Sequence, residues 1–221
     1  MKFYRFQDSK KRLGIGKIMC LARTYQEHAQ EMHASVSENP VMFLKPDTAV
    51  IYNHGTIRIP RMSQCLHHEV ELGIVIGKGG KHIQEERAME HVLGYLVGLD
   101  ITARDLQSVA KKNGWPWGIP KGFDTFAPLS DVVLKEIVPH PQDLELELKV
   151  NGVAKQKATP EQMIYSLEHI VAFLSDAMTL EPGDLILTGT PAGVGEIKEG
   201  DVLEARFGTL CSLTVDVQKE S

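Results

Sequence analysis

The stretch HHEVELGIVIGKGG, residues 67–80, combines the pattern of a buried strand with two glutamates at its start. VELGIVIG (70–77) is a nearly unbroken apolar run of strand length, and the Gly79–Gly80 pair after it predicts a turn. Glu69 and Glu71 stand at the start of this strand, where a buried carboxylate is costly without a partner. Because residues i and i+2 of a strand share a face, the two glutamates are expected to project together. The apolar residues that alternate with them are expected on the opposite, core face.

The segments on either side predict further short strands and a few helices. Strands are expected over residues 16–22, 41–45 and 94–102, and at the ends of 181–189 and 198–207. The Asn151–Gly152 pair within LELELKVNGVAKQ is a strong hairpin signal. Helical spacing of apolar residues predicts helices over 24–33, 84–93 and 166–180. The chain is therefore expected to form one α+β domain, rich in antiparallel strands.

Composition excludes several classes of protein. With 221 residues the chain can bury a substantial core, and its net charge of −5 without a long basic run argues against a nucleic-acid partner. No apolar stretch approaches the roughly 20 residues of a membrane span, and the first residues lack the apolar segment of a secretory signal. Three well-separated cysteines without CxxC spacing indicate reduced thiols. A cytoplasmic protein is expected.

A third carboxylate, Asp100, ends the apolar run GYLVGLD. Glu69, Glu71 and Asp100 would repel one another unless a cation lay between them, and ligation by oxygen atoms alone suits Mg²⁺ or Mn²⁺. Two alternatives remain open from the residues themselves. The glutamates could face solvent while Asp100 caps a following helix, or His67 and His68 could join the ligands and favour zinc or iron.

His28 and Glu31 stand three residues apart in a segment with helical spacing. On a helix such residues are neighbours, so Glu31 could orient the His28 imidazole as a general base that activates water. The alternative is an exposed pair on a surface helix. The following ASVSENP (34–40) has the composition of a mobile loop and could order over a site as a lid.

The glycine-rich segment LILTGTPAGVG (185–195) lacks the GK[ST] of a phosphate loop, so a nucleotide site is rejected there. Its backbone N–H groups and the Thr190 hydroxyl could instead receive a carboxylate, unless it is simply a tight turn. A small anionic substrate would also need cationic partners. Four basic residues lie beside apolar or glycine-containing stretches: Arg23, Lys45, Arg104 and Lys121. Gln107 lies three residues after Arg104 and could share its face of a helix.

Taken together, these segments resemble the fumarylacetoacetate hydrolase family, close to its short, single-domain acylpyruvase and oxaloacetate decarboxylase branch. The resemblance runs from about residue 16 to residue 217, which leaves 1–15 as a short N-terminal extension of a catalytic domain spanning 1–221. The motifs that carry it occur in the order CLARTYQEHAQEM, PVMFLKP, LHHEVELGIVIG, GYLVGLDITARDLQ, GIPKGFDTFAPL, VNG and ILTGTPAGVG.

The resemblance implies a mixed β-sandwich roll with short peripheral helices, usually assembled as a homodimer. It implies Mg²⁺ or Mn²⁺ held by Glu69, Glu71 and Asp100, and a catalytic His28–Glu31 pair on a lid segment. Lys121 matches a lysine near the reacting carbonyl. Four further positions match residues that line the family's substrate site: Arg23, Arg104, Gln107 and Thr190.

One departure from the family pattern is visible, because this chain reads Ala22-Arg23-Thr24-Tyr25 where relatives commonly read GRNY or GLNY. The implied substrate is a small 2-oxo acid, and the implied reaction is metal-dependent cleavage of a C–C bond. That reaction is acylpyruvate hydrolysis to pyruvate, oxaloacetate decarboxylation, or both. An isomerase or tautomerase of an unsaturated 2-oxo or 2-hydroxy diacid, of the 2-hydroxyhepta-2,4-diene-1,7-dioate isomerase type, is an alternative. A non-catalytic dicarboxylate binder is another.

Overall fold

A computed structural model describes residues 1–7, 11–31 and 39–220. Most of the segment expected as a lid, residues 34–38, lies outside the described residues. The described part is β-rich with short helices, which confirms the expected fold class. Its buried apolar side chains form a continuous hydrophobic core.

Sixteen strands occur in the described residues. In chain order they are β1 (Ile18–Ala22), β2 (Val41–Lys45), β3 (Val50–Tyr52), β4 (Thr56–Ile59), β5 (Leu66–His68), β6 (Val70–Ile76), β7 (Val92–Leu99), β8 (Thr102–Ala103), β9 (Ala127–Leu129), β10 (Val133–Leu134), β11 (Leu146–Val150), β12 (Val153–Ala158), β13 (Leu185–Leu187), β14 (Gly195–Ile197), β15 (Val202–Phe207) and β16 (Cys211–Lys219). The α-helices are α1 (Gln26–Glu31), α2 (Arg104–Asn113), α3 (Gly118–Gly122) and α4 (Leu167–Ala177).

Five short 3₁₀ helices complete the described elements, at Asp47–Ala49, Glu85–His91, Lys135–Ile137, Pro141–Asp143 and Pro160–Gln162. The helix expected over residues 84–93 is present, but it is a 3₁₀ helix at Glu85–His91 and not an α-helix. A 3₁₀ helix rises about 2.0 Å per residue against about 1.5 Å for an α-helix, so the same few residues reach further before β7 begins. No helix in the described ranges is long and apolar enough to cross a membrane.

Three sheets organise the strands. The largest has the order β2-β1-β13-β6-β7-β9-β3, with β10 also paired to β7. A second sheet has the order β12-β11-β15-β16-β4, and a small third sheet has the order β14-β5-β8. Strands β11, β15 and β16 pack on β6 and β7, so two sheets face each other as a sandwich. Most pairs are antiparallel, and three are parallel: β1 with β13, β3 with β9, and β16 with β4.

The antiparallel pair β6 and β7 lies in the middle of the large sheet and places the acidic residues. Val70 at the start of β6 pairs with Leu99 at the end of β7, and Asp100 N donates to Glu69 O at 2.8 Å. The residues just before β6 and just after β7 are therefore neighbours. All seven residues of β6 are buried, so the face that carries Glu71 becomes core within two residues. This corrects the expectation that only the opposite face is core.

The expected hairpin at Asn151–Gly152 is confirmed, since β11 and β12 pair antiparallel around it. The register shifts between Leu148 and Lys149: Leu148 pairs with Gln156, but Lys149 pairs with Ala154. One extra residue therefore stands in β12 as a bulge. Bulges change the direction in which a side chain points, and this one turns Gln156 inward.

Candidate metal and substrate site

Three buried carboxylates converge beside the β6–β7 pair. Glu69 precedes β6, Glu71 is its second residue and Asp100 follows β7. Each offers an oxygen atom, and these oxygens lie within 4.8 Å of one another. The side chains are 5%, 1% and 0% exposed, respectively. The alternative in which the glutamates face solvent and Asp100 caps a helix is therefore wrong.

The glycine-rich turn after β13 fixes Glu71. Gly189 N donates to Glu71 Oε2 at 2.8 Å. Gly189 has φ +95, and a Cβ atom there would stand 2.0 Å from Thr24 Oγ1, so glycine is required for this approach. The turn does receive a carboxylate through its backbone, as the sequence suggested, but the carboxylate belongs to the protein.

Three cations surround the carboxylates. Lys121 Nζ donates to Glu69 Oε2 at 2.8 Å and also to Asp100 Oδ2. Arg104 Nη2 donates to Glu69 Oε1, and its Nη1 donates to Gln107 Oε1 at 2.7 Å. Lys45 Nζ lies 2.7 Å from Asp100 Oδ1, although the angle is not that of a hydrogen bond. Glu71 has no ion-pair partner in the described part of the chain.

This arrangement shifts the pKa values of the two glutamates in opposite directions. Burial raises the pKa of Glu69, but Lys121 and Arg104 outweigh it and hold that pKa well below its usual range. Burial, together with Asp100 and Glu69, raises the pKa of Glu71 well above its usual range. Burial lowers the pKa of Lys121, but Asp100 and Glu69 outweigh it and raise that pKa. Lys121 is therefore a fixed cation, and Glu71 is a carboxylate that lacks a positive partner.

The residues present suit a hard divalent cation. All three side chains offer carboxylate oxygens, the donors that Mg²⁺ and Mn²⁺ prefer. Glu71 lies buried beside two like charges and has no ion-pair partner in the described part of the chain. A cation among the three oxygens would supply the positive charge that this carboxylate lacks.

The histidines before Glu69 do not join this cluster. His68 Nδ1 lies 3.0 Å from Gln156 Oε1, so that nitrogen is engaged in a hydrogen bond. His67 is half-buried, and burial together with Arg104 lowers its pKa to about 4. Among the described residues, the group of potential ligands that meets at one point contains Glu69, Glu71 and Asp100 and no histidine. The zinc or iron alternative gains no support from this geometry.

A cavity of about 30 Å³ opens beside the carboxylates. It brings together eight of the ten site residues expected from the sequence: Arg23, His28, Glu69, Glu71, Arg104, Gln107, Lys121 and Thr190. Asp100 is not on the cavity wall, because Lys121 and Lys45 lie against its two oxygens. Glu31 is also outside the wall and reaches the cavity through His28.

His28 and Glu31 both lie on α1, and they do form a pair. His28 Nδ1 is 3.2 Å from Glu31 Oε2, and His28 is only 7% exposed. The Glu31 carboxylate accepts a hydrogen bond from Gly193 N at 3.2 Å. Gly193 also has φ +95, and a Cβ atom there would stand 2.1 Å from Lys155 O. The imidazole is therefore buried and oriented, which contradicts the alternative of an exposed surface pair.

The departure from the family pattern lies next to this cavity. Arg23 has φ 62, a left-handed conformation that is uncommon for a residue with a Cβ. Such strain persists where the surrounding structure holds it, often at functional sites. Thr24 is fully buried and donates through Oγ1 to Thr188 O at 2.8 Å. Its side chain lies against Gly189, where a Cβ atom would meet it.

Sequence reasoning missed several contributors. Lys45 stood out as a basic residue after a strand, but its contact with Asp100 depends on the fold. Phe43, Lys111 and Trp117 also line the cavity, and Lys111 Nζ lies 5.3 Å from the Trp117 ring centroid. Burial first, then Arg104 and Arg23, lower the pKa of Lys111. This wall of the cavity therefore carries an excess of positive charge.

Comparisons with known proteins show similarity over nearly the whole chain. The family model described as fumarylacetoacetate (FAA) hydrolase C-terminal matches residues 17–218. The chain is 46% identical over 202 residues to the mitochondrial oxaloacetate tautomerase of Homo sapiens, covering 91% of each chain. Fumarylpyruvate hydrolase from Pseudomonas aeruginosa, solved in complex with Mn²⁺ and pyruvate, superposes with a TM-score of 0.94 at 36% identity, covering 99% of this chain and 96% of that one.

A third relative carries a different reaction in its name. The 2-hydroxyhepta-2,4-diene-1,7-dioate isomerase from Mycobacterium marinum superposes with a TM-score of 0.83 at 38% identity, covering 96% of this chain and 79% of that one. The family match and the identity to curated relatives over nearly the whole chain leave one assignment. The chain belongs to the fumarylacetoacetate hydrolase family.

Proposed function

We propose that this chain is a divalent-metal-dependent enzyme that forms the enol or enolate of a small 2-oxo acid. One observation carries the proposal. Three buried carboxylates place their oxygens within 4.8 Å of one another, and two of them, Glu69 and Glu71, line the same cavity as a buried His28 and a cationic wall. The named activities of its relatives, an oxaloacetate tautomerase and a fumarylpyruvate hydrolase, support the substrate class.

Glu69, Glu71 and Asp100 would hold Mg²⁺ or Mn²⁺, the ions to which their hard oxygen donors are suited. When bound, the ion supplies a Lewis acid that stabilises negative charge on the 2-oxo oxygen. Lys121 contributes a permanent positive charge beside this position, since Asp100 and Glu69 raise its pKa. It can donate a hydrogen bond to a developing oxyanion but cannot serve as a base at neutral pH.

Charge balance favours a dianionic substrate. Lys45, Lys121 and Arg104 already offset the three carboxylates. A divalent cation would therefore leave a net positive site, and Arg23 and Lys111 on the cavity wall add to it. A 2-oxo dicarboxylate such as oxaloacetate supplies the two negative charges that this site requires. Gln107 and Thr190 would add polar contacts to it.

His28 is the group that moves a proton. Glu31 occupies Nδ1, which leaves Nε2 available to the substrate. In a tautomerisation, His28 takes a proton from C3, the C3–H electron pair becomes the C2=C3 bond, and the C2=O π pair moves onto the 2-oxo oxygen. That oxygen then takes a proton from solvent water, and His28 returns its proton to solvent. Keto–enol tautomerisation of oxaloacetate needs only this chemistry, so we propose it as the first candidate reaction.

A second candidate is cleavage of the C3–C4 bond with release of pyruvate. It is favoured by the anchored His28–Glu31 pair, because an oriented histidine can take the proton of a water that attacks an acyl carbonyl. Acylpyruvate hydrolysis needs that water, whereas oxaloacetate decarboxylation does not. Both leave the electrons of the broken bond on an enolate of pyruvate.

One experiment separates these reactions. EDTA-stripped protein is incubated with oxaloacetate or acetylpyruvate, with and without Mn²⁺, against enzyme-free controls. Ultraviolet absorbance follows the enol of oxaloacetate, and a coupled assay follows pyruvate. Metal-dependent enol–keto conversion without pyruvate supports the tautomerase, and pyruvate supports the hydrolase or decarboxylase. Neither signal from protein that binds Mn²⁺ would refute the proposal and support a dicarboxylate binder.

The homodimer and the cytoplasmic location expected from the sequence stay predictions. So does the division of the chain into an N-terminal extension and one catalytic domain. Size-exclusion chromatography with light scattering would measure the molar mass in solution and decide the first of these.

A further inference from the structure

Gln156 stands out because of its burial. Strand β12 is otherwise solvent-facing, and Lys155 and Lys157 on either side of Gln156 are exposed. Gln156 is only 1% exposed, at the bulge in β12. A buried amide is costly unless its hydrogen bonds are made. The hydrogen-bond partners of Gln156 therefore indicate its role.

The Gln156 amide is fully engaged. Oε1 accepts from Val70 N at 3.0 Å and lies 3.0 Å from His68 Nδ1. Nε2 donates to Thr190 Oγ1 at 2.8 Å and to Pro191 O at 2.9 Å. Two acceptor contacts and two donor contacts use the hydrogen-bonding capacity of the side chain.

These partners also fix the orientation of the amide. A backbone N–H such as that of Val70 can only donate, and a proline carbonyl such as that of Pro191 can only accept. Nε2 must therefore face Thr190, whose oxygen accepts this hydrogen bond. The Thr190 hydroxyl keeps its own proton for another acceptor, and Thr190 lines the cavity. Gln156 thus sets Thr190 as a donor toward an anion.

The contacts join two segments that build the site from opposite sides. His68 and Val70 flank Glu69 in the chain, so the Oε1 end of Gln156 contacts the imidazole on one side of that carboxylate and the backbone N–H on the other. The Nε2 end holds the turn in which Gly189 N donates to Glu71. The same turn holds Glu31 through Gly193 N, and a Cβ atom at Gly193 would meet Lys155 O and Gln156 Cγ.

We propose that Gln156 is a positioning residue for the carboxylate cluster and for Thr190. Its amide sets the spacing between the Glu69 segment and the glycine turn, and it aims the Thr190 proton into the cavity. The assignment rests on the proposed function, because it takes the cluster to bind a divalent cation and the cavity to bind an anion.

The variants Gln156→Met and Gln156→Glu separate the two ends of the amide. Gln156→Met removes all four contacts, and we expect Mn²⁺ affinity to fall about tenfold or more, as for residues that support metal ligands. Gln156→Glu keeps an acceptor for Val70 but turns the Thr190 proton toward the introduced carboxylate. Its KM for oxaloacetate should rise roughly tenfold or more, with a smaller change in Mn²⁺ affinity and kcat.

Ser175→Ala is the control for loss of a buried polar group elsewhere. Ser175 is fully buried in α4, donates to Ala172 O and accepts from Ile83 N, away from the cavity. Electron paramagnetic resonance of free Mn²⁺ gives affinity without turnover, and thermal unfolding gives stability. We expect S175A to lose stability while keeping the wild-type Mn²⁺ affinity and KM.

The outcomes are distinct. If Q156M and Q156E match S175A in Mn²⁺ affinity and KM, Gln156 contributes to stability alone and the proposal is wrong. If Q156M does not fold, the KM of Q156E alone decides, and a wild-type KM overturns the assignment. Wild-type protein that bound no Mn²⁺ would instead overturn the proposed function, and this assignment with it.

Discussion

Glu71→Gln should have opposite effects on the metal-free and metal-bound protein. Glu71 is buried beside Asp100 and Glu69 without a cationic partner, and burial and these like charges raise its pKa well above 4.5. Glutamine keeps the oxygen that accepts from Gly189 N and removes the charge. We therefore expect E71Q to stabilise the EDTA-treated protein near neutral pH and to abolish the stabilisation that Mn²⁺ gives.

The sign and size follow from proton linkage. Below the pKa that Glu71 has in the unfolded chain, its carboxyl group is protonated in both the folded and the unfolded protein, and ionisation costs no stability there. As pH rises toward the folded pKa, only the folded state keeps the proton, and the free energy of unfolding falls by up to about 1.4 kcal/mol per pH unit. Between pH 5.5 and 7.5 the wild type should thus lose up to about 2.7 kcal/mol relative to E71Q.

Urea unfolding of EDTA-treated protein at pH 5.5, 6.5 and 7.5 measures this difference. Comparing the wild type with E71Q cancels the other titrating groups, which both proteins share. Glu161→Gln, at an exposed position, is the control and should run parallel to the wild type. Parallel curves for E71Q and the wild type would show this prediction to be wrong, because they would mean that Glu71 is already ionised in the metal-free fold.

Three further predictions concern the same cavity. His28→Gln should lower kcat by roughly 10²–10⁴ while Mn²⁺ affinity by paramagnetic resonance stays unchanged; a weaker Mn²⁺ affinity would instead make His28 part of the metal site. Gly189→Ala should cost at least about 1–3 kcal/mol of stability because of its left-handed φ and the approach to Thr24, and an unchanged Tm would contradict the described turn. Lys111→Met should raise the KM for oxaloacetate more than for a monoanionic 2-oxo acid, because it removes positive charge from the cavity wall. Equal changes in the two KM values would argue against a charge role.

Much of the fold followed from local patterns. The strand over β6, the Asn151–Gly152 hairpin and helix α4 were each predicted from periodicity or turn chemistry, and the structure confirms them. The convergence of Glu69 and Asp100 was also foreseeable. A carboxylate just before one strand and another just after its antiparallel neighbour lie side by side at the same end of the strand pair. The helix expected over 84–93 failed in kind because a short helical segment has no sequence signal that separates 3₁₀ from α.

The parts of the site that escaped prediction depend on contacts between distant residues. Gln156 meets Val70 across 86 positions in the chain, and its inward turn depends on a bulge that local spacing does not reveal. Lys45 meets Asp100 only because β2 ends beside the cluster. The left-handed backbone of Arg23 was likewise invisible, since arginine carries no preference for that conformation.

Anomalous diffraction from crystals soaked in Mn²⁺ would locate the bound metal ion. We predict one strong peak bonded to an oxygen of each of Glu69, Glu71 and Asp100, at the roughly 2.0–2.6 Å expected for hard cations on oxygen ligands. The Lys121 ammonium should move away from the position it shares with Glu69 and Asp100. A peak bonded to His67 or His68 instead, or no peak at the three carboxylates from crystals saturated with Mn²⁺, would mean that these carboxylates are not the metal site.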